Sequence, residues 1–169
     1  MSGTMVIGLE DPGPGREGVG AATIWALRRR DLDLPLVTWR GEATGLCDRW
    51  NAAELVILVD AAATPGPPGR VRRRSLRHPG AAAGAGPGIH AGLVGDAMNL
   101  SVAFGQLPLT MLLYIVDGQS SPTVEAVAAE IADEVTRRLA PRPRSQPRSW
   151  SWQNRYFGPD PAGRDGAVS

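Results

Sequence analysis

The chain has 169 residues and a formal net charge of +1, which suits one domain with a real hydrophobic core and leaves too little for two independent ones. All 18 basic residues are arginine: residues 1–140 carry 13 against 15 acids, and residues 141–169 carry 5 against 2, so the body is slightly acidic and the tail basic. The absence of lysine beside abundant Ala, Gly and Pro reads as genome composition, which argues against a nucleic-acid partner, while a lone Cys47 excludes an internal disulfide or a Cys-based zinc cluster.

Met5 to Leu9 is an apolar run too short for a helix and closed by Pro12 and glycines, the pattern of a buried strand. After a loop to Gly18, Val19 to Arg30 places Val19, Ala22, Ile24, Ala26 and Leu27 broadly on one side and three arginines at the negative helix end. Pro35 opens a second strand, Leu36 to Trp39, and a short helical segment follows around Leu46 to Ala53. Leu55 to Val59 is uninterrupted aliphatic sequence, as expected of a central strand covered on both faces, and it ends at Asp60.

A Pro/Gly turn, Pro65 to Gly69, leads to a fourth strand near Val71 to Leu76, whose arginines predict an edge position. Pro79 to Gly88 is low in complexity and reads as mobile. From His90 to Phe104 a helix is expected, with Leu93, Ala97, Leu100 and Phe104 on its apolar face. Leu109 to Val116 is another strong strand, and Ser121 with Pro122 reads as a cap and first turn for a last helix ending near Leu139. The alternation predicts an α/β fold: a three-layer domain over 1–140, with a twisted, mostly parallel sheet of about five strands and helices on both faces. The Arg/Pro/Trp-rich tail, 141–169, reads as largely disordered, with Trp150, Trp152, Tyr156 and Phe157 able to pack back or hold a partner.

Gly13-Pro14-Gly15-Arg16-Glu17-Gly18 has dinucleotide-loop spacing, but Gly13 lies four residues beyond the strand and Glu17 would repel a phosphate. Arg40 at the end of the second strand would suit a 2′-phosphate, yet no acidic ribose contact stands there. A Walker loop is excluded because no Gly-Lys-Ser/Thr follows, so no nucleotide is expected. The alternative starts from the carboxyl ends of the strands, where open α/β sheets gather ligands. Glu17 follows the first strand, Asp60 ends the third, and His90 precedes the helix after the fourth. Each has an ordinary role available: favouring a helix dipole, capping a turn, starting a helix. Together they offer two carboxylates and one imidazole, a donor set for a divalent transition ion with positions left for a substrate. His78 is a competing ligand with an arginine-rich flank, and Cys47 reads as a small buried apolar group.

With these residues placed, the chain resembles the hydrogenase maturation proteases, endopeptidases that trim the C-terminal extension from the large subunit of nickel-iron hydrogenases. Their first strand runs into Gly-x-Gly-Asn-x-x-x-x-Asp-Asp/Glu-Gly-x-Gly, matched here at Gly8, Glu17, Gly18 and Gly20. The resemblance continues in GEATGL (41–46), ELVILVDAAATPGPPGRV (54–71), IHAGL (89–93) and SSPTVEAVAAEIADEV (120–135), covering about 5–139. It implies that Glu17, Asp60 and His90 contact metal and that nickel arrives with a hydrogenase large-subunit precursor; there a bound cation would polarise the scissile carbonyl or acidify a water, or Glu17 or Asp60 would serve as general base. With a single cysteine and no apolar run near the roughly 20 residues that span a bilayer, the protein is expected in the cytoplasm and away from membranes. The chain departs from the pattern at Glu10-Asp11, where the family has Gly-Asn, at Arg16, where it has an acid, and at Gly88-Ile89, where a small hydroxyl residue is usual. Those departures would suit a noncatalytic relative that binds a hydrogenase subunit or another protein.

Overall fold

The computed structural model describes residues 3–11, 18–64, 66–84 and 86–140. Glu17, Arg16, the glycines at 13 and 15 and the tail 141–169 lie outside the described residues.

In chain order the elements are β1 (Thr4–Leu9), α1 (Val19–Arg28), β2 (Leu36–Trp39), α2 (Ala43–Trp50), β3 (Leu55–Ala61), β4 (Val71–Ser75), α3 (Ala91–Ala103), β5 (Thr110–Val116) and α4 (Ser121–Leu139). The five strands form one sheet in the order β2-β1-β3-β5-β4; all neighbours are parallel except β4, which runs antiparallel to β5 at the edge. This is the expected three-layer α/β architecture. β3 up to Asp60 and β5 after Thr110 are uninterrupted apolar sequence buried on both faces, as strands between two helical layers must be.

Alternation along the strands splits the core in two. Ile7, Leu9, Val56, Leu58, Leu113 and Ile115 face α2 and α3 with Trp50, Val94 and Met98, whereas Val6, Ile57, Val59, Leu112 and Tyr114 face α1 and α4 with Ile24, Leu27, Val127 and Ile131. The chain leaves β1 for β2 on one side and returns to β3 on the other, with α1 and α2 on opposite faces. The carboxyl ends of β1 and β3 therefore flank a switch point, where such sheets open a crevice.

Three local expectations change. The buried face of α3 is Val94, Ala97, Met98 and Ser101, while Phe104 ends the helix and is exposed. The stripe is rotated because Ser101 Oγ, bonded back to the Ala97 carbonyl, accepts the Trp50 indole N–H at 2.7 Å in the layer between α2 and α3. Pro79–Ala83 is a 3₁₀ turn with Ala82 fully buried, so burial of a methyl group orders part of a stretch that composition alone reads as mobile. The cap of α4 is Ser120, one residue earlier than expected; its carbonyl accepts the Val124 N–H and its hydroxyl meets Thr123. Cys47 is buried and free, as expected.

Where α4 meets the edge strand, the Glu134 carboxylate is buried yet paired with Arg73 of β4 and with Arg137 and Arg138 one turn on. Burial works against its charge, but the Arg138 hydrogen bond and the three guanidinium charges outweigh it and hold the carboxyl below its ordinary 4.5. A depressed folded-state value means stability that is complete above about 4.5 and lost as pH falls through the folded value. Urea titrations of the wild type and Glu134→Gln are therefore expected to converge as pH drops below that point. Parallel curves down to strong acid would remove the ion-pair cluster from the acid response.

Candidate active site at the carboxyl edge of the sheet

Two of the three expected site residues meet. Asp60 is the penultimate residue of β3 and is 1% exposed. His90, immediately before α3, places its Nδ1 at 2.7 Å from Asp60 Oδ1 and donates its backbone N–H to Oδ2 at 2.9 Å. The same carboxylate thus fixes both the ring and the main chain of the residue that carries it. Gly88 makes this approach possible: a methyl group there would lie 2.0 Å from Asp60 Oδ2. The segment is tied to the end of β3 by an Ala62–Gly88 bridge, by Ile89 N–H to the Ala61 carbonyl and by Ala63 N–H to the Pro87 carbonyl.

With Nδ1 turned to a carboxylate, the outward nitrogen is Nε2. It is buried, has no hydrogen-bond partner among the described residues, and lies 3.4 Å from Oδ1 of Asp11, whose side chain is 81% exposed. The hydrogen bond to Asp60 outweighs burial, and the charges of Asp60, Asp11 and Glu10 add to it, so the ring titrates above the ordinary histidine value.

Glu10 answers a question the sequence leaves open. It follows β1 on the strand face opposite Leu9, and its carboxylate accepts Gly18 N–H and Ala21 N–H at 2.7 Å each, capping α1 from outside the helix. It is held at the positive helix end and away from His90's face of the sheet. Two of the glycines matched to the maturation-protease pattern have a packing role: methyls on Gly8 and Gly20 would lie 2.4 Å from the Gly20 carbonyl and 2.5 Å from the Leu9 carbonyl. They let the first turn of α1 rest on β1. Glu10→Ala is expected to cost about 2 kcal/mol in urea unfolding, since two donors of a buried helix end lose a charged acceptor. An unchanged denaturation midpoint would show that water serves those groups as well.

No group of three or more His, Cys, Asp or Glu side chains able to hold a metal ion occurs among the described residues, and Glu17, the expected third donor, lies outside them. His78, the competing ligand, stands at the start of the 3₁₀ turn with its ring near Gly80. Two residues the sequence reading passed over also reach this edge. Arg72 on β4 donates to the Gly86 carbonyl at 2.9 Å, and Asp117, directly after β5, accepts Gly66 N–H at 2.8 Å. A signal for Asp117 was present: Val-Asp closes the aliphatic run of the third strand at 59–60 and recurs at 116–117. No helix among the described residues is long and apolar enough to cross a membrane.

No protein-family model matches the chain. No curated protein matches it either. Solved structures do: the hydrogenase-maturating endopeptidase HybD from E. coli, 20% identical, superposes with a TM-score of 0.59 over 80% of this chain and 91% of that one. The [NiFe] hydrogenase maturation protease HybD from Thermococcus kodakarensis is 18% identical, with a TM-score of 0.57 over 78% of this chain and 97% of that one. HycI from Thermococcus kodakarensis KOD1, also a [NiFe] hydrogenase maturation protease, is 17% identical, with a TM-score of 0.51 over 77% and 90%. The chain therefore has the fold of these maturation endopeptidases, and Asp60 and His90 stand at the carboxyl edge of its sheet.

Proposed function

We propose that the chain is an endopeptidase that removes the C-terminal extension of a hydrogenase large-subunit precursor already loaded with nickel. The observation that carries this reading is the Asp60–His90 pair: a buried carboxylate orients an imidazole so that its Nε2, without a hydrogen-bond partner among the described residues, is turned from Asp60 toward Asp11, on a fold shared with maturation proteases.

Imidazole nitrogen with carboxylate oxygens is a donor set that suits nickel. The ion is part of the substrate and arrives with the client. Glu17, Asp60 and His90 are the residues proposed to contact it; each Asp60 oxygen accepts one bond from His90 and keeps a second lone pair. A client-held cation polarises the scissile carbonyl or acidifies a water. Glu17 and Asp60 are the candidate general bases. Requiring the metal would couple cleavage to completed loading. Glu10 does not obstruct such a site, because the α1 cap engages both of its oxygens. The reaction is placed in the cytoplasm, where the thiol of Cys47 stays reduced.

Incubating the purified protein with a nickel-loaded, C-terminally extended large subunit tests this. A product shortened at its C-terminus, seen by mass spectrometry and absent when the precursor lacks nickel, is the expected result. A precursor that only shifts its elution would identify a binding protein instead.

A further inference from the structure

The Gly86–His90 segment is held at both ends by one row of the sheet. In the strand register Arg72 of β4 stands opposite Ile115 of β5, and Ile115 stands opposite Asp60 of β3. Residues in one row of adjacent strands point to one face, and Ile115 faces the α2/α3 layer, so Arg72 and Asp60 rise on that face on either side of it. Two strand spacings separate them, about 10 Å. Asp60 takes the His90 end. Arg72 takes the other, donating from Nη1 to the Gly86 carbonyl at 2.9 Å, while Asp117 Oδ2 lies 3.7 Å from its Nη2.

The fit around Arg72 is close. Gly86 has φ +66°, and a methyl group there would lie 1.8 Å from Arg72 Nη1. Asp117 is 2% exposed and is itself fixed by Gly66 N–H, while its main chain bonds Gly69 and Arg70. A planar guanidinium can serve the carboxylate and the carbonyl at once in a fixed geometry.

We infer that Arg72, backed by Asp117, is a positioning residue for His90: it anchors the Gly86 end of the segment so that Asp60 meets the ring in a single geometry. Its relevance to catalysis rests on the protease reading above, but its effect on the segment does not.

Amide hydrogen exchange on the full chain tests it. In Arg72→Ala the Ile89 and His90 amides are expected to exchange about tenfold faster, by local opening, with Leu58 and Leu113 in the central strands unchanged. Precursor cleavage is expected to fall about tenfold in the same variant and to recover in part in Arg72→Lys, which keeps the charge beside Asp117. If Arg72→Ala does not fold, Asp117→Asn decides: it retains an acceptor for Gly66 N–H but releases Arg72, and it should loosen the same two amides. Wild-type exchange at Ile89 and His90 in a folded Arg72→Ala, or in Asp117→Asn where the first does not fold, would overturn the inference. A wild-type protein that fails to cleave the precursor, with the exchange result as expected, would count against the protease reading alone.

Discussion

Asp60→Asn is expected to abolish detectable precursor cleavage while leaving the melting temperature unchanged, and the reason is a count of donors. His90 presents its main-chain N–H to one oxygen of Asp60 and its ring Nδ1 to the other. A carboxylate accepts at both positions. An amide accepts at one and donates at the other, so if its oxygen keeps the main-chain N–H, its NH₂ faces Nδ1 and the ring must receive there. The proton then moves to Nε2, and the lone pair that faces outward is lost. A charge-neutral change of one atom thus turns the imidazole into the wrong tautomer without creating a cavity. His90→Ala removes the group altogether and should cost about 10²- to 10⁴-fold in rate. Cleavage assays on a nickel-loaded precursor, with thermal melts alongside, would measure both. Wild-type rates in either variant would refute the site.

The two substitutions differ in what else they disturb, which makes them informative together. His90→Ala leaves the Asp60 carboxylate, 1% exposed, with the main-chain N–H of residue 90 as its one remaining hydrogen-bond donor among the described residues, so part of any stability loss belongs to a buried charge that has lost a donor. Asp60→Asn avoids that penalty.

How much of this was legible in the sequence depends on the range over which each feature is decided. β3 declares itself because five consecutive aliphatic residues need two covering layers wherever they occur. Asp60 and His90 could be paired from sequence because strand ends and the loop before a helix share one edge of a parallel sheet. Arg72 could not, since its place opposite Ile115, and so in the row of Asp60, is a matter of strand register rather than local pattern. The same holds for Glu10. Its two carboxylate bonds reach Gly18 and Ala21, 8 and 11 residues on, so a charge that looks like an intruder in a metal loop is a remote helix cap. The face of α3 was misjudged by one helical position for a related reason. Ser101 is polar and drops out of an apolar stripe, yet it is fully buried because the Trp50 indole needs an acceptor there.

Gly88→Ala separates the loop's shape from its chemistry, and it is expected to be the most damaging single methyl group in the site. The added carbon would lie 2.0 Å from Oδ2, 2.6 Å from Cγ and 3.0 Å from Cβ of Asp60, three atoms of a side chain with nowhere to retreat in a buried strand. Gly88 is not among the glycines with positive φ, so alanine can adopt its backbone and the whole penalty is this collision. Either the carboxylate leaves its rotamer or the segment lifts off β3, breaking the Ala62–Gly88 bridge and the Ile89 bond to Ala61. Overpacking of this kind costs about 1–3 kcal/mol, and cleavage should fall as far as in Asp60→Asn. Gly92→Ala is the matched control: it lies four residues on, in α3, where a methyl group meets nothing within 4 Å. There the same change should stabilise by about 1 kcal/mol through helix propensity and leave cleavage intact. Urea unfolding and precursor cleavage on the two variants give opposite signs if the Asp60 contact governs the site. Equal behaviour would mean that the segment accommodates the methyl group and that the close fit of Gly88 over Asp60 is not what holds His90 in place.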